Sequence, residues 1–344
     1  MVRVEKKAKR EAVSRLEKKI TQYLKNLPPA ILGIERCSPI DILDMTPGAY
    51  NLNYHVMVGD KKFIFRVNIQ QQSGLTNQID YEFGVLKYLE RYQIAPKVYH
   101  SDNTKSAFDF DILIEEYLEG PWVTLQEQDL PAVAALLVKL HSLDASQVNL
   151  ITWSDPLMDT LVLVRMDLEE YRSKKSADPG VVSKAEKLIT KLEPFLFEKR
   201  ALFTPDSINH TDVAIDNFVK TSQGLKLIDW EKPRFDDCSY DVCCFLAEPA
   251  QLWCIPQVLS AEGREKFLQE YITLSGRDKD HFLEKVRVRQ PLVSLHWIFW
   301  GMNRLCDLRD QKTASELQGV HSERLERWER VADPHLIKKI YEMI

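Results

Sequence analysis

Hydrophobic positions change their rhythm once along this chain, near residue 120. Before that point they sit in short β-rich runs. Residues 50–58 (YNLNYHVMV) and 61–67 (KKFIFRV) flank Gly59-Asp60, and two such runs joined by a two-residue turn predict a β-hairpin. A helical stretch is expected at about 76–92, and apolar runs at 97–100 and 110–117 (FDILIEEY) predict two more strands closing a small antiparallel sheet, which Glu119-Gly120-Pro121 ends. Beyond it the spacing is mainly helical: LPAVAALLVKLHSL at 130–143, then about 158–175, 181–198 and several stretches from 239 onward. Residues 208–241 interrupt the helices with short strands and many acids. The expected fold class is α+β in two lobes, 1–120 with a leading helix, an antiparallel sheet and one helix, and 121–344 larger and mainly helical.

Composition narrows the class. At 344 residues, with 44% hydrophobic and 28% charged positions, the chain has the balance of a globular protein and not of a collagenous or disordered one. No apolar run approaches the roughly 18 residues that read as a membrane span, and the start, MVRVEKKAKREAV, has no apolar segment behind its charges. The expectation is no membrane partner and a cytoplasmic location. A net charge of −5 leaves no basic footprint for nucleic acid, although the first 25 residues are rich in lysine and arginine. There Val13, Leu16, Ile20 and Leu24 recur at helical spacing, so the basic residues read as a solvated helix face. The spacing of Cys238, Cys243, Cys244 and Cys254 fits no usual zinc pattern, and buried thiols are the expectation for them.

The acidic island carries the candidate chemistry. Phe218–Thr221 and Leu225–Ile228 read as two strands joined by Ser222-Gln223-Gly224, with glycine in a left-handed position. Counting outward puts Asn217 about opposite Asp229, where cross-strand Cβ atoms lie roughly 4.5–5.5 Å apart. An amide oxygen and a carboxylate suit Mg²⁺, which takes one or two protein groups and completes its shell with water and phosphate. Asp212, five residues before Asn217, projects into the same space and is placed to accept a proton from a hydroxyl. Each acid alone also fits a turn residue bonding its own backbone; the three together favour a metal–nucleotide site.

These residues resemble the aminoglycoside phosphotransferase and choline kinase family, the small-molecule branch of the protein-kinase-like fold. The family's His-x-Asp-x-x-x-x-Asn loop is similar to residues 210–217 (HTDVAIDN), and its Ile-Asp-Trp/Phe-Glu motif to Ile228-Asp229-Trp230-Glu231. The resemblance implies Asp212 as catalytic base, Asn217 and Asp229 as Mg²⁺ ligands, ATP as co-substrate, and His210 and Asp241 as supports of the loop. Glu82 sits on the apolar stripe of Ile79, Val85, Leu86 and Leu89 and needs a partner, for which Arg66 is the candidate. That pair resembles the kinase ion pair that steers phosphates, with arginine where the family often has lysine. Residues 47–51 (PGAYN), including Asn51, occupy the place of the nucleotide-covering loop, and backbone groups of Glu116 and Leu118 would bind the adenine. Thr211 and Ile215-Asp216 depart from the family's Gly after the histidine and Pro-Gly before the asparagine; Asp216 is expected to face water.

The resemblance implies an acceptor that is a small molecule with a hydroxyl, of aminoglycoside, choline, sugar or amino-alcohol type. His296, Trp297, Trp300, Asn303 and Arg304 are candidates to line its pocket, although tryptophans at helical spacing fit core packing as well, and His141 fits a packed helix end. Two other classes stay open: a catalytically silent nucleotide-binding module, and an interaction protein recruiting a partner or RNA through its basic start.

Overall fold

The computed structural model describes residues 15–48, 50–71, 75, 77–311 and 322–342, so Val13 and Ala49 lie outside it. Contacts divide the chain into two compact units: residues up to Gly120 with Gln147–Asn149 and Lys226–Lys232, and Pro121–Ser146 with Leu150–Leu225 and everything from Pro233.

The first unit opens with helix α1 (15–26) and the short α2 (Pro29–Leu32). Strands β1 (Ile40–Pro47), β2 (Asn51–Val58) and β3 (Lys61–Asn68) follow, then helix α3 (Gln78–Leu89) and strands β4 (Val98–Asp102) and β5 (Asp111–Glu116). The five strands form one antiparallel sheet in the order β1-β2-β3-β5-β4. The β2–β3 turn is tight because Gly59 takes φ +66°, a conformation open to glycine without Cβ strain. Strand β1 has no clear sequence signal: its alternation breaks at a register shift between Ile42 and Asp44.

Period-two alternation gives this sheet two different faces. Tyr54, Val56 and Val58, Phe63, Phe65 and Val67, and Ile112 and Ile114 point to one side and form a core with Ile20 and Leu24 of α1. The apolar stripe of the leading helix is thus structural. The opposite face is polar yet buried: Asn51, Arg66, Asn68, Asp111 and Glu115 are each at most 4% exposed. Helix α3, capped by Asn77, buries Ile79, Glu82, Val85, Leu86 and Leu89.

The second unit contains α4 (Leu130–His141), β6 (Ile151–Thr152), α5 (Pro156–Ser173), α6 (Pro179–Lys199), β7 (Ser207–Asn209) and β8 (Phe218–Thr221). After the hairpin strand β9 (Gly224–Leu227) come β10 (Arg234–Asp236), α7 (Ser239–Leu246), α8 (Glu248–Cys254), α9 (Ala261–Ser275), α10 (Lys279–Gln311), α11 (Ser322–Val331) and α12 (Pro334–Glu342). Asp155 and Asp178 cap α5 and α6, each followed by proline in the first turn, where its missing N–H is no loss. Leu161 and Val164 of α5, Leu188 and Leu192 of α6, and Leu292, Leu295 and Phe299 of α10 fill the core between these helices. Trp297 is buried, and Cys238, Cys243 and Cys244 are buried free thiols. Among the described residues no helix is long and apolar enough to cross a membrane.

The β8–β9 turn corrects one expectation. It has two residues and not three, because Thr221 Oγ1 closes it, accepting from Gln223 N–H (3.1 Å) and donating to Gly224 O (2.7 Å). Gly224, at φ +112°, heads the returning strand. The ladder ends at Leu227, so Asp229 is reached beyond it and is not a strand residue.

A buried charge network, unmarked by periodicity, ties α5, α10 and β10 together. Arg289 is fully buried and donates to both Asp236 oxygens (2.9 and 2.8 Å), to Thr160 Oγ1 (2.9 Å) and to Pro156 O (2.9 Å). Arg234 also donates Nε to Asp236 (3.0 Å), so removing Arg289 leaves this buried carboxylate with one of its two cations and strips Thr160 and Pro156 of their donor. Arg289→Met is therefore expected to lower the unfolding free energy by about 3–5 kcal/mol, read as a lower urea midpoint; an unchanged midpoint contradicts this.

Candidate active site

The loop after β7 is fixed from below by one carboxylate. Asp241, fully buried in the first turn of α7, accepts the backbone N–H of His210 (2.7 Å) and of Thr211 (2.8 Å). Its own N–H donates to Asn209 Oδ1 (3.3 Å). His141, at the end of α4, lies with Nε2 3.3 Å from Asp241 and Nδ1 2.7 Å from the Tyr271 hydroxyl. An ionised carboxylate only accepts, so Nε2 carries the hydrogen that points at Asp241. The packed helix-end histidine thus also holds Asp241. Burial works to raise the Asp241 pKa, but the His141 bond and charge and the His210 amide outweigh it and hold it below the usual carboxylate range.

Those bonds force the backbone into a rare shape. Thr211 sits at φ +74°, where the family it resembles has glycine and where a β-branched residue is strained. The Asp212 N–H then reaches His210 Nδ1 (3.3 Å), and Asn217, on the helical turn Ile215–Asn217, donates Nδ2 to Asp212 O (2.9 Å). With its nitrogen held, Asn217 presents its oxygen, the end a magnesium ion would take. Asp216 does not simply face water: the Cys254 thiol donates to it (3.0 Å) and Arg327 lies 3.8 Å away, because α8 and α11 bring these groups onto the same turn.

In the first unit the buried polar face gathers charge around one cation. Arg66 meets Glu82, Glu115 and Asp229, each at 3.2 Å, and Glu231 at 3.9 Å. Burial opposes its charge, but the four carboxylates hold it above the ordinary arginine range. Burial pushes Glu82 up to about 7 despite Arg66. It raises Glu115 too, and Glu231 well above its usual value with Asp229 adding to the effect. Asn51 donates Nδ2 to Glu231 and accepts from Asn68 (2.9 Å). Asp229 has a one-third exposed carboxylate on a backbone at φ +68°.

The structure therefore brings together Asn51, Arg66, Glu82 and Asp229 in one unit, and His210, Asp212, Asn217 and Asp241 in the other. Glu116 and Leu118 follow at the end of β5; the Glu116 N–H is taken by Lys97 O (2.8 Å) and its carboxylate by Lys226 (3.2 Å). Sequence reasoning missed Glu115 and Glu231 as partners of Arg66. The available signal was an acid at the end of an apolar strand, DILIEE, on the face shared with Leu113.

Among the described residues no three metal-ligating side chains are gathered at one point. The donors still fit magnesium, which needs only one or two protein oxygens when phosphates and water supply the rest. In the second unit Asn217 offers an amide oxygen, and in the first Asp229 offers a carboxylate that stands among acids in excess of their cation.

An antiparallel-sheet unit and a larger helical one, with a braced acid-and-amide loop, define an α+β kinase-like phosphotransferase fold. The sequence matches the phosphotransferase enzyme family that includes the aminoglycoside phosphotransferases over residues 42–283, and the chain belongs to that family. A search of curated proteins finds no match. Among solved structures, a choline kinase from Cryptosporidium parvum Iowa II superposes with TM-score 0.66 at 17% identity, over 95% of this chain and 96% of that one. Choline kinase LicA from Streptococcus pneumoniae gives 0.61 at 16%, covering 95% and 99%; LicA in complex with AMP also matches, with TM-score 0.54 at 17% identity over 89% and 93%. A putative aminoglycoside phosphotransferase from Ralstonia eutropha JMP134 gives 0.61 at 13%, covering 88% and 94%. At these identities the likeness is one of fold.

Asp241→Asn puts an N–H₂ group against two backbone donors and is expected to cost about 1–3 kcal/mol of stability. A carboxylate whose folded pKa is depressed adds stability above its unfolded value, lost as pH falls through the folded one. Wild type should therefore lose stability on acidification below about pH 4 more steeply than Asp241→Asn. Equal slopes in acid urea melts contradict this role.

Proposed function

We propose that the protein transfers the γ-phosphoryl group of ATP to a hydroxyl of a small molecule, with Asp212 as base and Mg²⁺ held by Asn217 and Asp229. The observation that carries this reading is the bond from Asn217 Nδ2 to Asp212 O, which joins the base and an oxygen ligand in one short turn braced by Asp241. Phosphoryl transfer needs little covalent chemistry from a protein beyond positioning and charge neutralisation. Asp212 accepts the proton of the attacking hydroxyl, and the guanidinium of Arg66 faces the phosphates. When bound, the metal supplies positive charge to the transferring group. The AMP complex of a fold neighbour supports a nucleotide in this reading.

For the acceptor, an amino alcohol or another cationic hydroxyl compound fits best. Trp253, Trp297 and Trp300 form an edge-on cluster with centroids 5.0 and 5.5 Å apart. The chain's own Arg327 lies 5.9 Å over the Trp253 ring and beside Asp216. A cation already rests on indole and carboxylate there, the surroundings that a substrate ammonium seeks. The choline kinases among the fold neighbours point the same way. The protein would work in the cytoplasm.

The rival reading is a silent nucleotide-binding module, favoured by the engagement of Arg66 with Asp229. Both are tested by following ADP release with a panel of choline, amino alcohols, aminoglycosides and sugars. Wild type should turn over one acceptor class, and Asp212→Ala should lose at least about 10²–10⁴-fold in kcat while still binding Mg-ATP. Nucleotide binding without turnover on any acceptor supports the silent module, and undiminished turnover by Asp212→Ala removes the assigned base.

A further inference from the structure

Strand β2 presents two asparagines to the polar face of the sheet, and they are in opposite states. Asn51, paired in register with Asn68, has both ends of its amide occupied, by Glu231 and by Asn68. Asn53, directly across from Arg66, has a buried Oδ1 with no hydrogen-bond partner among the described residues. The Nε of Arg66 is likewise buried and without a partner there, while its two terminal nitrogens are taken by carboxylates. Residues directly opposed in an antiparallel pair have Cβ atoms roughly 4.5–5.5 Å apart. A half-buried residue with an orphan acceptor and a buried one with an orphan donor are therefore cross-strand neighbours on the polar face of the sheet. Buried polar groups are nearly always bonded, and a pair of exceptions in one place calls for a group that supplies the missing bonds.

We propose that Asn53 and the Nε of Arg66 form a contact point for the sugar–phosphate part of the nucleotide, and that Asn51 serves to hold Glu231. The inference rests on the nucleotide-binding reading above. Arg66 Nε–H donates to a phosphate or hydroxyl oxygen. The amide of Asn53 carries a donor and an acceptor, so it bonds a phosphate oxygen through Nδ2 or a sugar hydroxyl through Oδ1. This binding residue stands two positions along the strand from Asn51, the one the sequence suggests.

The test is calorimetric titration of the full chain with Mg-ATP, Mg-2′,3′-dideoxy-ATP and Mg-tripolyphosphate, together with thermal melts, for wild type, Asn53→Leu and Asn51→Leu. Asn53→Leu should bind Mg-ATP about tenfold more weakly, the size of one hydrogen bond to a charged group. Its melting point should be equal to or above that of wild type, because no bond within the protein is lost. Asn51→Leu should melt lower. A matching loss for tripolyphosphate assigns the contact to phosphate, and a loss for ATP with none for the dideoxy analogue assigns it to the sugar. Unchanged Mg-ATP affinity in Asn53→Leu, or a melting point that falls in that variant, overturns the proposal. A wild type that binds no nucleotide overturns the functional reading and this inference with it.

Discussion

One guanidinium set against four carboxylates in a buried space is the constraint around which the first unit is built. Arg66 touches Glu82, Glu115, Asp229 and Glu231, so one positive charge faces four negative ones, three in excess when all are ionised. Such an excess is not stable away from water, and the protein relieves it by raising the pKa values of Glu82, Glu115 and Glu231. A divalent cation relieves it in another way. In the proposed function Asp229, the most exposed of the four, is the acid that would meet such an ion. The two-faced sheet makes this possible: α1 covers its apolar side, and the polar side is left to hold charge.

The second unit solves a different problem, that of holding a loop in a shape its residues do not prefer. Thr211 stays at φ +74° because Asp241 takes two successive backbone N–H groups. Asp241 is in turn held by His141 and, through it, by Tyr271 of α9. Backbone strain of this kind persists only where the surroundings over-determine it, and it gathers at functional loops. Arginine in place of lysine at position 66 belongs to the same pattern of departure from the family. Its planar fork engages carboxylates on both sides, where an ammonium would act as a single point of charge.

Much of this was legible in the sequence because local rules and tertiary structure agree there. The β2–β3 hairpin follows from alternation around Gly59-Asp60, and α3 from the apolar stripe of Ile79, Val85, Leu86 and Leu89. The partnership of Glu82 and Arg66 follows from one charge on that stripe. What escaped depends on contacts between distant segments. Strand β1 is hidden by its irregular register, and the β8–β9 turn is shortened by the Thr221 hydroxyl. Glu115 and Glu231 join Arg66 only once the sheet is assembled, and Arg289 looks like any other charge on α10 until it is buried against Asp236. Asp216 was read as solvent-facing because Cys254 and Arg327 lie 38 and more than 100 positions away in the chain.

The central claim, that Asp229 meets a metal bound with ATP, is tested most directly by measuring ATP affinity against magnesium concentration in wild type and Asp229→Ala. The expected result is ATP binding that strengthens as magnesium rises in wild type and loses that dependence in the variant. ATP affinity independent of magnesium in wild type, or the same dependence in both proteins, would contradict the account.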